Sequence, residues 1–471
     1  MIGRLLALVA GLGALVSCSF TTAGNFEECK TDRDCGTVAA CSQGYCLKLP
    51  SGCVRQEAGG STRAFEVDAG SRIPLAALLP LTENGVADNS ELQGLNAMRL
   101  AVSEVNDRNG LKNRSFALFV CDTGRVDETT GLQTAWMVEN LGVPAILTSG
   151  SGQTQLVAKH PVRLDAGTMI ISATATSPTL VSTFQNERNV WRVSPPDTLQ
   201  AKALANLIKA DFPDAGGVRV DVVFEDSDYG GGFGQPMADN LLALGFTSTR
   251  RPFPKDDPIA QTTVITNLAN DSPKATVLIA FPSDVRDLIT RARTFPSLTR
   301  ASGHRWYLTD AVKDPAVLRS EDGGITATTT ELDLAIGTAP AQGAGGAFIA
   351  FRDSFRARYG FDPNSFSYTS HSYDAMWLVM LSAAFAESAG GLSGPNLGQG
   401  VSRLSTNTAP TPLRADKWTE LSNGLIQGLS TSVEGASGPL DFDTDAGVPS
   451  APYEVWQVSD GGIRVLRLTN P

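Results

Sequence analysis

Histidine is scarce in this chain of 471 residues, which contains only three: His160, His304 and His371. None lies in an H-E-x-x-H array or in another spacing typical of a catalytic zinc site. The segment Gly150-Ser151-Gly152 lacks the outer glycines of the G-x-S-x-G nucleophile elbow. We therefore predict that the protein is not an enzyme and that it binds no metal.

Positive charge is also in short supply. The chain has 38 Lys and Arg against 49 Asp and Glu, which gives a formal net charge of -11. No basic patch interleaved with aromatic residues is visible, so binding to nucleic acid is excluded.

A nucleotide-binding loop is missing as well. The glycines at 230–232 and 234 follow a predicted strand, but Gln235 occupies the last position of G-x-G-x-x-G and no P-loop lysine is present. We interpret this stretch as a flexible strand-to-helix turn and expect no cofactor.

Long apolar runs do not occur after the N-terminus, so no later segment reaches the roughly 18 residues that span a bilayer. At the N-terminus, Arg4 precedes the apolar run Leu5 to Val16, which is typical of a secretory signal peptide over residues 1–17. Residues 15–18 (LVSC) resemble a bacterial lipobox, which implies cleavage before Cys18 and lipidation of that residue. The alternative is an ordinary signal peptide with an incidental cysteine. Ser19 follows Cys18, and in Gram-negative lipoproteins a residue other than Asp there usually implies the outer membrane.

Six further cysteines follow Cys18, and five of them lie close together. Their spacing lacks the C-x2-C pairs of zinc sites and has no nearby histidine, so we predict disulfides, with metal binding as the alternative. Fifteen pairings are possible, and Cys53 is one candidate partner for Cys121, which would tie this segment to the body. Residues 18–72 are predicted to form a lipidated tether, in which the polar, Gly-containing stretch 54–71 is a linker. The six residues are Cys29, Cys35, Cys41, Cys46, Cys53 and Cys121.

The body begins at Ile73 and alternates between two patterns. Continuous apolar runs, as in residues 73–79, are typical of buried parallel strands. Apolar residues at steps of three and four, as in residues 92–105, indicate helices between them. This alternation predicts an α/β fold with parallel sheets covered on both faces. Residues 321–346 and 388–400 are rich in small residues and are predicted to be loops. Strands are predicted at 73–79, 116–121, 143–147, 169–171, 218–224, 275–281 and 306–308.

Polar loops follow several predicted strands. In open α/β sheets, ligands bind outside the carboxyl ends of the strands, so these loops should line one crevice. Their hydroxyls and amides suit an anion such as a carboxylate, although Ser and Thr could equally cap the following helices. The loops are residues 148–154, 172–178, 225–229 and 309–310.

From Ile73 to Pro471 the chain resembles the leucine/isoleucine/valine-binding family of periplasmic proteins. Each motif is weak alone, but their order and spacing make the resemblance strong. The matching segments are Gly94 and Ala97 with residues 105–110 (VNDRNG), 150–154 (GSGQT), 171–178 (ISATATSP), 228–230 (DYG), 372–375 (SYDA) and 438–443 (GPLDFD).

The resemblance implies the type I periplasmic binding fold, with two doubly wound parallel-sheet lobes, three crossovers and a ligand in the cleft. It places residues 73–194 and 326–380 in the first lobe, and residues 195–325 and 381–471 in the second.

The resemblance also assigns roles to residues of the cleft. It implies that Ser151 and Thr176 bind a ligand carboxylate with help from the backbone around Thr174 and Ala175. Tyr229 would close over the ligand, and Asp310 would face its ammonium group. Phe281 stands where many family members carry an aromatic residue.

Three functional classes follow. The first is a monomeric periplasmic or surface receptor that delivers an amino acid or a similar ligand to an ABC permease. The second is a sensory or regulatory binder with the same fold. The third is a hydrolase, which ranks last because the sequence offers no nucleophile and base. An outer-membrane anchor would favour the second class over the first, because an inner-membrane permease would be far away.

Overall fold

The computed structural model describes residues 27–56, 66, 68–184, 187–318, 327–405, 409–440, 442–443, 448–449 and 452–471. The predicted signal peptide (1–17) and Cys18 lie outside the described residues, as do most of the predicted linker and part of the loop at 321–346.

The strands are mostly short, and those in the centres of the two large sheets are almost completely buried. In chain order they are β1 (Ala39–Ser42), β2 (Tyr45–Lys48), β3 (Cys53–Gln56), β4 (Ile73–Leu79), β5 (Thr82–Glu83), β6 (Val86–Ala87), β7 (Phe116–Asp122), β8 (Ala145–Thr148), β9 (Met169–Ser172), β10 (Val190–Arg192), β11 (Val220–Glu225), β12 (Arg250–Phe253), β13 (Ala275–Ile279), β14 (Arg305–Leu308), β15 (Ile336–Pro340), β16 (Thr411–Pro412), β17 (Val433–Gly435), β18 (Gly438–Pro439), β19 (Phe442–Asp443), β20 (Val448–Pro449), β21 (Tyr453–Ser459) and β22 (Gly462–Thr469).

The helices occupy the connections between strands and the segment after β15. They are α1 (Asn89–Asn106), α2 (Asp127–Leu141), α3 (Ser151–Lys159), α4 (Pro161–Ala166), α5 (Pro178–Phe184), α6 (Asp197–Asp211), α7 (Asp228–Ala243), α8 (Pro258–Asp271), α9 (Pro282–Ala292), α10 (Ala327–Leu332), α11 (Gly346–Tyr359), α12 (Thr369–Ser388), α13 (Gly394–Ser402) and α14 (Trp418–Ile426). Short 3-10 helices lie at Asp32–Cys35, Ala69–Ser71, Pro296–Leu298, Arg300–Ser302, Asp310–Val312, Pro315–Val317, Pro363–Ser365 and Ala415–Lys417.

The first lobe is built on a six-stranded sheet in the order β10-β9-β8-β4-β7-β3. Five of these strands are parallel, and β3 pairs antiparallel with β7 at the edge. The helix α12 is buried on nearly all sides, as expected of its residues 375–386, which are apolar except for Ser382, and packs against α1, α13 and α14 in the core of this lobe.

The second lobe is built on a seven-stranded sheet in the order β12-β11-β13-β14-β15-β21-β22. The strands from β12 to β15 are parallel, and β21 and β22 add antiparallel to the edge. The chain passes between the lobes three times: after β10, after β15 and between β19 and β21. The predicted α/β architecture with two lobes and three crossovers is confirmed.

The lobe boundaries differ from the predicted ones after residue 326. Residues 336–340 were predicted to lie in the first lobe, but as β15 they pair with β14 and β21 in the second sheet. Leu397, Trp418 and Leu440 were predicted to lie in the second lobe, but they pack in the core of the first. The motif at 438–443, which resembles the family's closing crossing, does lie directly before the third passage between the lobes. The assignment of the residues between 326 and 438 was wrong because it depends on tertiary packing.

The Cys-rich segment is fixed to the first lobe. It contains the disulfides Cys29–Cys41 and Cys35–Cys46, and Cys53–Cys121 joins β3 to β7, which confirms the predicted link to the body. The sulfurs of Cys29, Cys35 and Cys46 lie within 4.8 Å of one another, but each is used in a disulfide and none is a thiolate ligand. The fully buried carboxylate of Asp32 forms an ion pair of 2.6 Å with Arg72, which leads into β4.

Three of the predicted loops contain regular structure. Residues 54–56 were assigned to a linker but form part of β3, because pairing with β7 provides hydrogen bonds that the local sequence does not predict. Residues 394–400 were assigned to a loop but belong to α13, which begins with a side-chain cap from Ser393. The stretch 321–346 contains α10 and β15 in its described part. Within the described ranges, no helix has the length and apolar composition needed to cross a membrane.

Candidate functional site

A cleft lies between the lobes, at the carboxyl ends of the strands of both sheets. The first lobe contributes the residues that follow β4, β7, β8 and β9, together with the start of α12, and the second contributes those that follow β11, β13 and β14. The cleft encloses about 710 Å³ of space not occupied by atoms, including its mouth. Ligand sites of α/β proteins lie at such strand ends because loops there present free side chains and helix N-termini. The lining residues are Asp88, Ser90, Glu91, Gly94, Arg125, Gly150, Ser151, Thr174, Tyr229, Phe281, Pro282, Asp310, Ala311, Asp314, Ser367, Tyr368 and Ser372.

Asp310 lies at the base of the cleft, directly after β14, and is 3% exposed. One of its carboxylate oxygens accepts hydrogen bonds from Gln200 Nε2 (2.9 Å) and Tyr229 OH (3.0 Å). The other accepts from Tyr368 OH at 2.5 Å. Tyr368 belongs to the first lobe, so this carboxylate is bonded from both sides of the cleft.

The environment of Asp310 is unfavourable for negative charge. Burial raises its pKa, and the three donors only partly oppose that shift. Asp197, the first residue of α6, is also fully buried. Its burial and the neighbouring Asp310 raise the pKa of Asp197 well above the ordinary value. A cation placed beside this pair would compensate for the two carboxylates.

A second carboxylate, Glu91, lies on the first-lobe side of the cleft in the first turn of α1. Ser149 Oγ donates to its Oε1 at 2.6 Å. Since the Ser149 hydroxyl has one proton, its 2.8 Å contact with Thr174 Oγ1 makes Thr174 the donor there. Thr174 in turn accepts from the backbone N–H of Gly150 at 2.6 Å. Three donors from the loops after β8 and β9 are therefore arranged in a chain that ends on Glu91. Burial and the nearby Asp88 raise the pKa of Glu91 to about 7.

Arg125, which follows β7, reaches across the cleft. Its Nη2 lies 3.2 Å from Asp88 and its Nε 3.5 Å from Glu83, and its guanidinium lies 4.2 Å from the ring centre of Phe281 in the second lobe. Burial alone would lower the pKa of Arg125, but these carboxylates raise it overall. Lys255 of the second lobe also forms an ion pair with Glu83. The two lobes are thus held together by charged and aromatic contacts at the rim of the cleft.

Five of the seven residues predicted to bind the ligand line the cleft, namely Ser151, Thr174, Tyr229, Phe281 and Asp310. Ala175 and Thr176 are not among the lining residues.

The side chain of Ala175 packs in the core of the first lobe. The carbonyl of Thr176 accepts a 3.1 Å hydrogen bond from the buried Arg192. The hydroxyl oxygen of Ser151 accepts from the N–H of Ser177 at 3.1 Å, so this serine also stabilises its own loop.

Three important lining residues, Glu91, Arg125 and Tyr368, were not predicted from the sequence. Glu91 has the appearance of an ordinary first-turn acid, with Asp88 capping the helix by accepting from its N–H at 3.1 Å. Tyr368 adopts a left-handed backbone conformation (φ 63°), which is rare for a large residue. The one usable signal was the position of Asp88 and Glu91 at the start of α1, the first helix after the opening strand of the body.

Comparisons with known proteins agree with this architecture. The family model described as "Receptor family ligand binding region" matches residues 93–461 of the chain. None of the curated proteins matches the sequence significantly.

Solved structures align along most of the chain. A leucine-binding protein from Thermotoga maritima MSB8 aligns with a TM-score of 0.66 at 17% identity, covering 85% of this chain and 99% of that one. A branched-chain amino acid transporter substrate-binding protein from Streptococcus pneumoniae, in complex with isoleucine, aligns with a TM-score of 0.65 at 16% identity, covering 85% and 100%. A solute-binding protein of an ABC transporter from R. palustris, in complex with benzoate, aligns with a TM-score of 0.61 at 15% identity, covering 85% and 97%. At these identities the similarity extends to the fold alone.

Proposed function

Because the chain belongs to the receptor family of ligand-binding regions and has the type I periplasmic binding fold, we propose that it captures a small amino-acid-like ligand between its lobes. It is a binding protein and not an enzyme. The observation that supports this proposal most strongly is the placement of Asp310, a buried carboxylate at the base of a cleft that both lobes line.

The chemistry of the cleft favours a ligand with an ammonium group. Asp310 and Asp314 line its second-lobe side, and burial raises the pKa of Asp314 to about 6. Three aromatic residues, Tyr229, Phe281 and Tyr368, line the same space, and aromatic rings attract cations. An ammonium group would pair with the carboxylates and so reduce the cost of burying them.

The physiological role that we propose is extracytoplasmic. Lipidation of Cys18 would hold the protein at a membrane. Because Ser19 and not Asp follows Cys18, this would be the outer membrane. The protein would act as a monomer. Delivery of the ligand to an ABC permease is supported by the names of the structural neighbours. A sensory or regulatory role is the second candidate, because Ser19 favours a membrane distant from an inner-membrane permease.

Anchoring is tested by Cys18→Ala. We expect this variant to leave the membrane fraction or to retain its signal peptide. Mass spectrometry that finds an unlipidated mature N-terminus at another residue in the wild-type protein would contradict the lipobox interpretation.

Ligand capture is tested by thermal shift with amino acids and their amine derivatives. Ala311 lines the cleft, so Ala311→Phe should fill it and abolish the shift that a ligand produces in the wild-type protein. Ala243 is exposed near the end of α7, and Ala243→Phe is the matched control that should keep the shift. An unchanged shift in Ala311→Phe would place the binding site outside the cleft.

A further inference from the structure

Several hydrogen-bond donors on the first-lobe side of the cleft are already used by the protein itself. The chain of hydrogen bonds from Gly150 through Thr174 and Ser149 ends on the carboxylate of Glu91. These hydroxyls and this backbone amide are among the groups that could otherwise bind a carboxylate of a ligand. Glu91 therefore stands where an anionic group of a ligand would be bound.

The charges around the cleft also disfavour a ligand with a carboxylate. Four acids line it, Asp88, Glu91, Asp310 and Asp314, and Arg125 is the one basic residue among the described lining residues. That arginine is paired with Asp88 and Glu83 and stacked on Phe281. A ligand carboxylate entering this space would meet like charges and no available cation, and such contacts are strongly unfavourable away from water.

A cation in the cleft would meet favourable partners on both sides. Glu91 on one side and Asp310 with Asp314 on the other offer carboxylates, and Tyr229 and Tyr368 offer aromatic rings. Burial and the neighbouring Asp88 raise the pKa of Glu91 to about 7, so a cation beside Glu91 would stabilise its charged form.

We propose that the ligand of this cleft is a small primary amine or diamine without a carboxylate, and that Glu91 occupies the place of that carboxylate. The inference rests on the proposed function, since it concerns the same cleft, and it narrows the ligand class from amino acids to the amines that correspond to them without their carboxyl group.

The test uses the common amino acids other than aspartate, glutamate and proline, each paired with the primary amine that its decarboxylation would give, such as arginine with agmatine, tyrosine with tyramine and leucine with 3-methylbutylamine. Affinities are measured by titration calorimetry on the full mature protein. We expect at least one amine to bind at least tenfold more tightly than its parent amino acid.

Two variants of Glu91 make the test specific. Glu91→Gln keeps the shape but removes the charge, and it should weaken the amine at least tenfold. Glu91→Ala frees Ser149 and Thr174, and it should increase the affinity for the parent amino acid relative to the wild-type protein. Glu128 is exposed in the first turn of α2, so Glu128→Gln is the matched control that should change neither affinity.

The outcomes separate this inference from the proposed function. If an amino acid binds the wild-type protein as tightly as its amine, or if Glu91→Gln changes amine affinity less than twofold, the amine inference is wrong while ligand capture stands. If no member of any pair binds the wild-type protein, both proposals fail.

Discussion

The carboxylate of Asp374 accepts hydrogen bonds from both the backbone N–H (2.7 Å) and the hydroxyl (2.6 Å) of Ser437. It also accepts from the N–H of Ala436 at 2.7 Å. Asp374 lies in the buried helix α12, and residues 436–437 form the turn between β17 and β18, just before the chain returns to the second lobe. This contact fixes the turn to the core of the first lobe, and it gives the SYDA motif a structural role.

Loss of this carboxylate should therefore be costly. Asp374→Ala leaves two buried backbone N–H groups without an acceptor, and we expect a loss of about 2–5 kcal/mol in the free energy of unfolding. Asp374→Asn keeps one acceptor oxygen and should lose less. Urea unfolding at pH 7 measures both, and a loss below about 1 kcal/mol in the alanine variant would show that water or a shifted turn replaces the contact.

Asp310 should be required for affinity more than for stability. Asp310→Asn keeps the shape of the side chain but removes the charge opposite a ligand ammonium, and we expect binding to weaken by about 2–5 kcal/mol. Titration calorimetry with the ligand found by the thermal-shift screen measures this loss. Unchanged affinity would make Asp310 a structural residue that organises Gln200, Tyr229 and Tyr368.

The disulfide Cys53–Cys121 closes a much longer loop than the other two, with a sequence separation of 68 against 12 and 11. Replacing both of its cysteines by serine should reduce the free energy of unfolding by about 2–4 kcal/mol. The Cys29→Ser/Cys41→Ser pair is the control and should cost less, because the loop-closure entropy that a cross-link removes from the unfolded chain increases with loop length. Thermal unfolding followed by circular dichroism compares the variants, and equal losses would contradict this ranking.

Glu104 should make stability depend on pH. Burial raises its pKa from 4.5 to about 7 in the folded protein, although Tyr373 donates to it at 2.5 Å. The folded state therefore binds a proton between pH 4.5 and 7 that the unfolded state does not, so the stability contributed by this group is complete below pH 4.5 and is lost as pH rises through 7.

The variant Glu104→Gln resembles the protonated form at every pH. We expect it to be more stable than the wild-type protein at pH 8, by about 1–3 kcal/mol, with a difference that shrinks toward pH 5. Urea unfolding at the two pH values gives the comparison, with Glu128→Gln as the exposed control. A difference that does not change with pH would show that Glu104 stays charged in the folded protein.

Seven of the parallel strands were predictable because their apolar runs depend only on local sequence, namely β4, β7, β8, β9, β11, β13 and β14. The edge strands β10 and β12 were missed, as was β15, which lies in a stretch predicted to be a loop. Leu75 and Val222, for example, lie in the centres of strands that are buried on both faces. The edge strand β3 was not predictable, since Arg55 and Gln56 are polar and only the partner strand and the Cys53–Cys121 bond position them.

The site was predictable in its location but not in its charges. Asp310 follows an apolar strand, so its place at a strand end was visible in the sequence. The role of Glu91 depends on its hydrogen bond with Ser149, which is 58 residues away in the chain, and the local sequence does not predict a contact between residues so far apart. The same holds for Tyr368, whose hydroxyl meets Asp310 from the opposite lobe.

The attachment of the Cys-rich segment to the first lobe has a mechanical consequence if Cys18 is the anchor that we propose. The described chain begins at Glu27, nine residues after Cys18, so the connection spans at most about 30 Å when fully extended. This short connection leads into the Cys-rich segment, which is attached to the first lobe by strand β3, its disulfide and the Asp32–Arg72 ion pair. The first lobe would then be the stationary half of the protein at the membrane surface, and the second lobe would be the half that swings when ligand enters or leaves.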